Sequence, residues 1–136
     1  MSNCRLHHIA IQTANFDKAY NFYTKILNLS VVKAPFNFKN KRIMAWLSAG
    51  NALIELYTVK KGTQPQPYDD QRVGTDHIAF AIDNMDALLE RLKENKITIL
   101  KGPFIPAGDK SLARVVFIEG PDGEEIELTE LKEGEI

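Results

Sequence analysis

Hydrophobic alternation and helical spacing predict the same order of elements twice along the chain: a strand, a helix and three further strands. Strands show apolar residues at every second position, whereas a helix brings them to one face every three or four positions. In the first half, the predicted strands cover 6–13, 30–34, 42–49 and 52–59, and the helix covers 16–27. In the second half, the predicted strands cover 76–82, 97–100, 112–119 and 125–131, and the helix covers 85–95. The pattern therefore predicts two βαβββ modules.

An internal repeat supports this duplication. Residues 8–17 read HIAIQTANFD and residues 77–86 read HIAFAIDNMD, with five of ten positions identical at an offset of 69. Residues 51–58 and 123–130 share Ile-Glu-Leu at an offset of 72. Two matched pairs at nearly one offset indicate two copies of one module.

The length and composition fit one compact domain that contains both modules. The chain has 136 residues, of which 44% are hydrophobic and 26% charged, as is usual for globular proteins. We assign residues 5–59 to the first module and 75–131 to the second, joined by a Gly- and Pro-containing linker at 60–74. The predicted fold class is α+β.

The charge balance and the apolar runs exclude several classes of function. A net charge of −1 disfavours nucleic-acid binding, which needs a basic surface. The longest apolar runs, such as Ile78–Ile82, have five residues and are far too short to cross a membrane. The single cysteine, Cys4, cannot form an intramolecular disulfide, and the N-terminus shows no signal-peptide core. We therefore expect a cytoplasmic protein with a small-molecule substrate, and neither nucleic acid nor a membrane as partner.

Strand parity brings four side chains of metal-binding type onto one face. His8 and His77 occupy one repeat position, and alternation places them opposite the large aliphatic residues of their strands. By the same rule, Glu55 and Glu127 project from the Ile-Glu-Leu strands onto the histidine face. Two imidazoles and two carboxylates suit a divalent metal ion. The alternative is that each is an ordinary core or solvated residue, and His7, on the opposite parity, is interpreted as structural.

These features together resemble the vicinal oxygen chelate superfamily, over about residues 5–131. The superfamily includes glyoxalase I, methylmalonyl-CoA epimerase, extradiol dioxygenases and bleomycin-binding proteins. The segments that carry the resemblance are His8–Ile11, Phe22–Leu27, Asp76–Phe80, Pro121–Gly123 and Ile126–Leu128. The resemblance implies paired βαβββ modules that form a curved, barrel-like sheet around a metal.

The four candidate ligands narrow the resemblance to the glyoxalase I type. That type has a His or Gln, then Glu, His and Glu, and this chain supplies His8, Glu55, His77 and Glu127. The resemblance implies a lyase or isomerase that transfers a proton next to a metal-chelated carbonyl, with Ni, Zn, Co or Mn as the cofactor. It also implies Glu127 as the catalytic base, Glu55 as a base for the opposite face, and a homodimer.

Three departures from glyoxalase I concern the thiol cosubstrate. Glyoxalase I binds the carboxylates of glutathione through an Arg that corresponds to Gln12 here, and an Asn that corresponds to Val59. An Arg that often precedes the second His by four residues corresponds to Val73. Lys110 is either an anion-binding residue or a solvated loop lysine. The cosubstrate is therefore expected to be glutathione or another thiol.

Three other functions remain open for this sequence. They are a methylmalonyl-CoA epimerase-like isomerase, a non-catalytic protein that sequesters a small molecule or antibiotic, and an extradiol-type dioxygenase. Metal content separates sequestration from catalysis, and oxygen consumption with catechols identifies a dioxygenase.

Overall fold

A computed structural model describes residues 3–39, 42–59, 66, 69, 71–108 and 110–132 of the chain. The chain divides into two compact units, Met1–Gln66 and Pro67–Ile136. Of the predicted linker, residues 60–65, 67, 68 and 70 lie outside the described residues, as do 133–136 of the predicted tail.

The first unit contains a four-stranded sheet and one helix. Its elements are β1 (His8–Thr13), α1 (Phe16–Asn21), a π-helical segment (Phe22–Ile26), β2 (Ser30–Phe38), β3 (Arg42–Ser48) and β4 (Leu53–Thr58). The strand order is β1-β4-β3-β2. β1 is parallel to β4, and the other neighbours are antiparallel.

The second unit repeats this arrangement. Its elements are β5 (Ile78–Ile82), α2 (Met85–Glu94), β6 (Ile99–Phe104), β7 (Leu112–Glu119) and β8 (Glu125–Leu131). The strand order is β5-β8-β7-β6, with β5 parallel to β8. The predicted α+β class and the βαβββ order of both modules are confirmed. Each sheet is open, with two edge strands, and does not close into a barrel.

Both helices begin at an asparagine that caps them. Asn15 Oδ1 accepts a hydrogen bond from the Lys18 amide at 3.1 Å, and Asn84 Oδ1 accepts one from the Ala87 amide at 3.0 Å. Each cap satisfies one of the amides that a helix start leaves without an intrahelical partner. In α2 the cap is Asn84 and not the preceding Asp83.

The first helix widens in its second half. The Leu27 amide donates to the Phe22 carbonyl at 3.0 Å, a bond across five residues instead of four. Phe22, the first residue of this wide turn, is buried together with Tyr23 and Ile26. Asn28, with φ of 63°, ends the helix as predicted.

The aliphatic faces of the Ile-Glu-Leu strands form part of the core of each unit. Ile54 and Leu56 in β4 are buried, and so are Ile126 and Leu128 in β8. Because side chains alternate along a strand, the glutamates between these pairs are turned to the opposite face of each sheet. The predicted parity of both strands is therefore confirmed.

The edge strands β2 and β6 are longer than predicted. β2 continues to Phe38, and β6 runs through Gly102 and Pro103, beyond the predicted strand ends at residues 34 and 100. The predicted end of β6 is wrong because an edge strand tolerates a proline, whose missing amide faces no partner strand. In both strands the pairing register shifts on each side of a lysine, Lys33 in β2 and Lys101 in β6.

Replacing Gly102 with Ala is expected to destabilise the protein by about 2–4 kcal/mol. Gly102 has φ of 93°, and a Cβ there would lie 2.7 Å from the Val115 carbonyl oxygen. The cost combines a disfavoured backbone conformation with a clash against backbone. Gly50→Ala is the matched control, because Gly50 has φ of 82° but no atom near the added Cβ. Thermal unfolding of both variants measures the difference, and equal losses would contradict the clash.

Candidate metal centre

The first His–Glu pair lies on the exposed face of the first sheet, where β1 runs beside β4. The register pairs Ala10 with Glu55, and His8 is two residues before Ala10, so both candidate ligands share one face. His8 Nε2 lies 3.6 Å from Glu55 Oε2. The His8 side chain is 40% exposed and that of Glu55 13%, so a ligand can reach the pair in this unit.

The second pair has the same arrangement in the second unit. The register pairs Ala79 with Glu127, and His77 directly precedes β5. His77 Nε2 lies 3.3 Å from Glu127 Oε1, and the side chains are 29% and 19% exposed. The duplication therefore preserves both the residue types and the position of the pair within the sheet.

The spacing within each pair suits two ligands of one divalent cation. A cation about 2.1 Å from a nitrogen and an oxygen at tetrahedral or octahedral angles holds those atoms about 3.0–3.5 Å apart. The observed 3.3 Å falls inside this interval and 3.6 Å lies just beyond it. Among the described residues, the His, Cys, Asp and Glu side chains form no metal-binding group of three or more. Each unit thus supplies two candidate ligands.

Each histidine is oriented through its other ring nitrogen. His77 Nδ1 donates to Asp76 Oδ2 at 2.6 Å, which leaves Nε2 directed at Glu127. The hydrogen bond with Asp76 raises the pKa of His77, burial lowers it, and the charge of Glu127 raises it further. In the first unit, His8 Nδ1 shares a hydrogen bond of 2.8 Å with His7 Nδ1. A carboxylate partner such as Asp76 fixes the tautomer of a metal-ligating imidazole, whereas either nitrogen can donate in the bond between His7 and His8.

His7 and Asp76 therefore contact the two candidate ligands, which strand parity does not predict. Both directly precede a candidate ligand, at equivalent positions of the repeat. Alternation places a preceding residue on the opposite face, which is why His7 was interpreted as structural. Because His7 and Asp76 lie just before β1 and β5 begin, strand parity does not apply to them.

Aromatic side chains surround the first pair. The Trp46 ring lies edge-on to His8, with 5.1 Å between centroids, and Phe38 stacks on Tyr57 at 6.4 Å. Burial raises the pKa of Tyr57, and a hydrogen bond to Glu55 raises it further. Met44, which is paired with Tyr57 in the sheet, lies on the same face and is buried.

Aromatic side chains also lie beside the second pair, and part of them belongs to a third segment that is repeated in the sequence. Phe117 lies edge-on to His77, with 5.5 Å between centroids, and Phe104 stacks on Phe117. Lys101 lies over the ring of Phe104, as Lys33 does over its neighbour Phe36. The sequence signal is a repeated Lys-x-Pro-Phe at an offset of 68, between residues 33–36 and 101–104. This repeat lies in the edge strands β2 and β6.

The positions that depart from glyoxalase I have different surroundings. Gln12 Oε1 accepts a hydrogen bond from an Arg42 terminal nitrogen at 3.0 Å, so a guanidinium lies beside this position after all. Val59 follows β4, and Val73 is 98% exposed. Lys110 is exposed.

The comparisons with known proteins agree with this architecture. The duplicated βαβββ modules define an α+β protein with one open sheet in each module. A model of the Glyoxalase/Bleomycin resistance protein/Dioxygenase superfamily matches residues 5–128, and the chain belongs to this superfamily.

Relatives extend over nearly the whole chain. A lactoylglutathione lyase from Escherichia coli O157:H7 is 31% identical over 137 residues, covering 95% of this chain and 94% of that protein. A glyoxalase/dioxygenase structure from Nostoc punctiforme has a TM-score of 0.74 at 26% identity, covering 95% of this chain and 92% of that one. A glyoxalase family protein from Enterococcus faecalis shares the fold, with a TM-score of 0.73 at 22% identity and coverages of 95% and 99%.

The helices of the described segments were also compared with the requirements of a membrane span. None of them is long and apolar enough to cross a bilayer.

Proposed function

We propose that this protein is a metal-dependent lyase or isomerase of the glyoxalase I type, acting on a small molecule. In this proposal His8, Glu55, His77 and Glu127 bind one divalent ion, which is Ni, Zn, Co or Mn. The substrate is a carbonyl compound, taken as its adduct with glutathione or another thiol.

The observation that carries this proposal is the repeated His–Glu pair. Two pairs at equivalent registers, each with the spacing of two ligands on one cation, are unexpected for ordinary surface residues. A His–Glu contact without a function would not have to recur at the equivalent position of the second module. The relatives named lactoylglutathione lyase support the same reaction type.

The proposed chemistry is a proton transfer next to a carbonyl. When bound, the cation supplies a Lewis acid that polarises the carbonyl oxygen. Glu127 removes the proton from the adjacent carbon and returns it to the neighbouring one, so that the reaction is an isomerisation. Phe117, paired with Glu127 in the sheet and edge-on to His77, limits the access of water to this base. Glu55 serves the opposite face of the substrate.

Metal analysis followed by a turnover assay tests the proposal. We expect about one divalent ion per His₂Glu₂ set, and formation of the thioester product from methylglyoxal and glutathione. A protein that neither contains nor takes up Ni, Zn, Co or Mn would contradict catalysis and favour sequestration. Oxygen consumption with a catechol would instead identify a dioxygenase.

We also propose that the protein is a homodimer. Mixing two inactive variants shows whether the two His–Glu pairs of one metal site come from the same chain or from different chains. Glu55→Gln disables the first pair and Glu127→Gln the second. If each site takes one pair from each chain, a mixed dimer keeps one intact site, and refolding an equal mixture restores about a quarter of wild-type activity. If both pairs come from one chain, the mixture stays inactive. A protein that sediments as a monomer would contradict the dimer.

Asp76→Asn is expected to weaken metal affinity about 10- to 100-fold without unfolding the protein. The Asp76 carboxylate accepts a hydrogen bond from His77 Nδ1–H and so keeps Nε2 directed at Glu127. The amide of an asparagine is a weaker acceptor for this hydrogen bond. Calorimetric titration with Zn measures the change, and Asp83→Asn, an exposed change in the loop before α2, serves as control. Unchanged affinity would show that Asp76 does not orient a ligand.

A further inference from the structure

A guanidinium lies on the same face of the first sheet as the first His–Glu pair. Arg42 Nε donates to the Thr58 carbonyl at 2.8 Å, and a terminal nitrogen donates to Gln12 Oε1 at 3.0 Å. The group also lies 4.4 Å from the centroid of the Tyr57 ring. Three contacts from two strands therefore fix the plane of the guanidinium.

Arg42 has no acidic partner among the described residues, which distinguishes it from Arg114. Arg114 donates to both Asp86 and Glu130, at 3.0 and 3.1 Å, so its charge is already compensated within the fold. The two hydrogen bonds of Arg42 go to neutral acceptors. An arginine has five N–H donors, so three remain for a ligand.

The position of Arg42 connects it to the first candidate metal ligand. Its guanidinium lies over the ring of Tyr57, which is two residues after Glu55 in β4 and therefore on the same face of the sheet. A molecule that contacts Arg42 therefore lies one aromatic ring away from the His8–Glu55 pair. Trp46, the only tryptophan of the chain, borders the same pair.

We propose that Arg42 binds the carboxylate of the substrate or of its thiol cosubstrate. A fixed, uncompensated guanidinium with free donors matches the planar geometry of a carboxylate, which it binds through two parallel hydrogen bonds. The reaction in which this carboxylate takes part rests on the proposed function, but the preference for a carboxylate does not. It follows from the surroundings of Arg42 alone.

An equilibrium experiment on the metal-free protein tests the preference separately from catalysis. The probes are 3-(methylthio)propanoate and its amide, which differ only in charge, and binding is followed by Trp46 fluorescence. We expect the carboxylate to bind about tenfold more tightly than the amide, a ratio that falls to nearly one in Arg42→Gln. Lys25→Gln, an exposed change on the helix, should leave the ratio unchanged.

The outcomes distinguish Arg42 from Lys33, which is paired with Trp46 in the sheet, and from structural damage. Arg42→Lys retains the charge but loses the planar fork, and is expected to keep only part of the preference. An unchanged ratio in Arg42→Gln overturns the proposal, and so does a loss of preference in Lys33→Gln that Arg42→Gln does not show. Equal melting temperatures of wild type and Arg42→Lys confirm that folding is not the cause.

A kinetic comparison separates failure of this proposal from failure of the proposed function. Methylglyoxal adducts of 3-mercaptopropionate and 2-mercaptoethanol carry a carboxylate and a neutral hydroxyl, respectively. We expect kcat/KM to favour the anionic adduct about tenfold in the wild type and not in Arg42→Gln. Equal turnover of both adducts by the wild type overturns the role of Arg42 while the enzyme assignment stands. Absence of any turnover, with the fluorescence preference intact, contradicts the enzyme assignment alone.

Discussion

Replacing Glu127 with Gln is expected to lower kcat by at least about 10²- to 10⁴-fold, the range that a positioned general base contributes. The amide nearly matches the carboxylate in size but cannot accept the proton. The side chain is on the exposed face of β8, away from the buried Ile126 and Leu128, so the fold should be retained. Steady-state turnover together with the melting temperature measures both effects.

Metal content decides how a loss of activity is interpreted. Glu127 is also a proposed ligand, so the kinetics are measured at saturating metal, and bound metal is quantified in each sample. Glu119→Gln, an exposed change at the end of β7, is the matched control and should behave as wild type. A Glu127→Gln protein with full metal and undiminished turnover would exclude Glu127 as the base.

Replacing Glu130 with Ala is expected to destabilise the second unit. Loss of the hydrogen bond from one backbone amide accounts for about 1–2 kcal/mol of this. Glu130 Oε2 accepts a hydrogen bond at 2.7 Å from the Met85 amide, at the start of α2. The same carboxylate pairs with Arg114. The substitution removes both contacts and leaves the helix start without this acceptor. Chemical denaturation measures the loss.

A matched variant separates this helix-start contact from the surface ion pair. Asp86 is 81% exposed and contacts only a terminal nitrogen of Arg114, so Asp86→Ala should cost far less, as exposed ion pairs do. Equal losses from Glu130→Ala and Asp86→Ala would show that the Met85 amide bond contributes little. Neither residue belongs to the proposed metal site, so activity should follow stability only.

The sequence predicts those parts of this fold that local chemistry decides. Strand parity correctly places Glu55 on the face opposite the buried Ile54 and Leu56, because successive side chains of a strand always point to opposite faces. Both helices begin where the apolar spacing predicts, because a short amide side chain directly before the stripe, Asn15 or Asn84, satisfies the first free amides. The pairing of His8 with Glu55 follows from these local rules and the repeat.

Contacts between distant segments were not predictable in the same way. Nothing in the sequence connects Gln12 with Arg42, which are 30 positions apart and meet only because β1, β4 and β3 are neighbours in the sheet. The continuation of β6 through Gly102 and Pro103 was missed because both residues signal a turn in isolation. A strand can contain these two residues when it lies at the edge of the sheet, and the order of the strands in the whole sheet decides which strand lies there.

The π-helical segment accounts for a one-residue difference between the first halves of the two modules. From His8 to Lys33 the chain advances 33 − 8 = 25 residues, whereas from His77 to Lys101 it advances 101 − 77 = 24. The surplus residue of the first module is absorbed by the wide turn at Phe22–Ile26, since a π turn holds one residue more than an α turn. The extra residue lies outside the strands, so Ala10 still pairs with Glu55 as Ala79 pairs with Glu127.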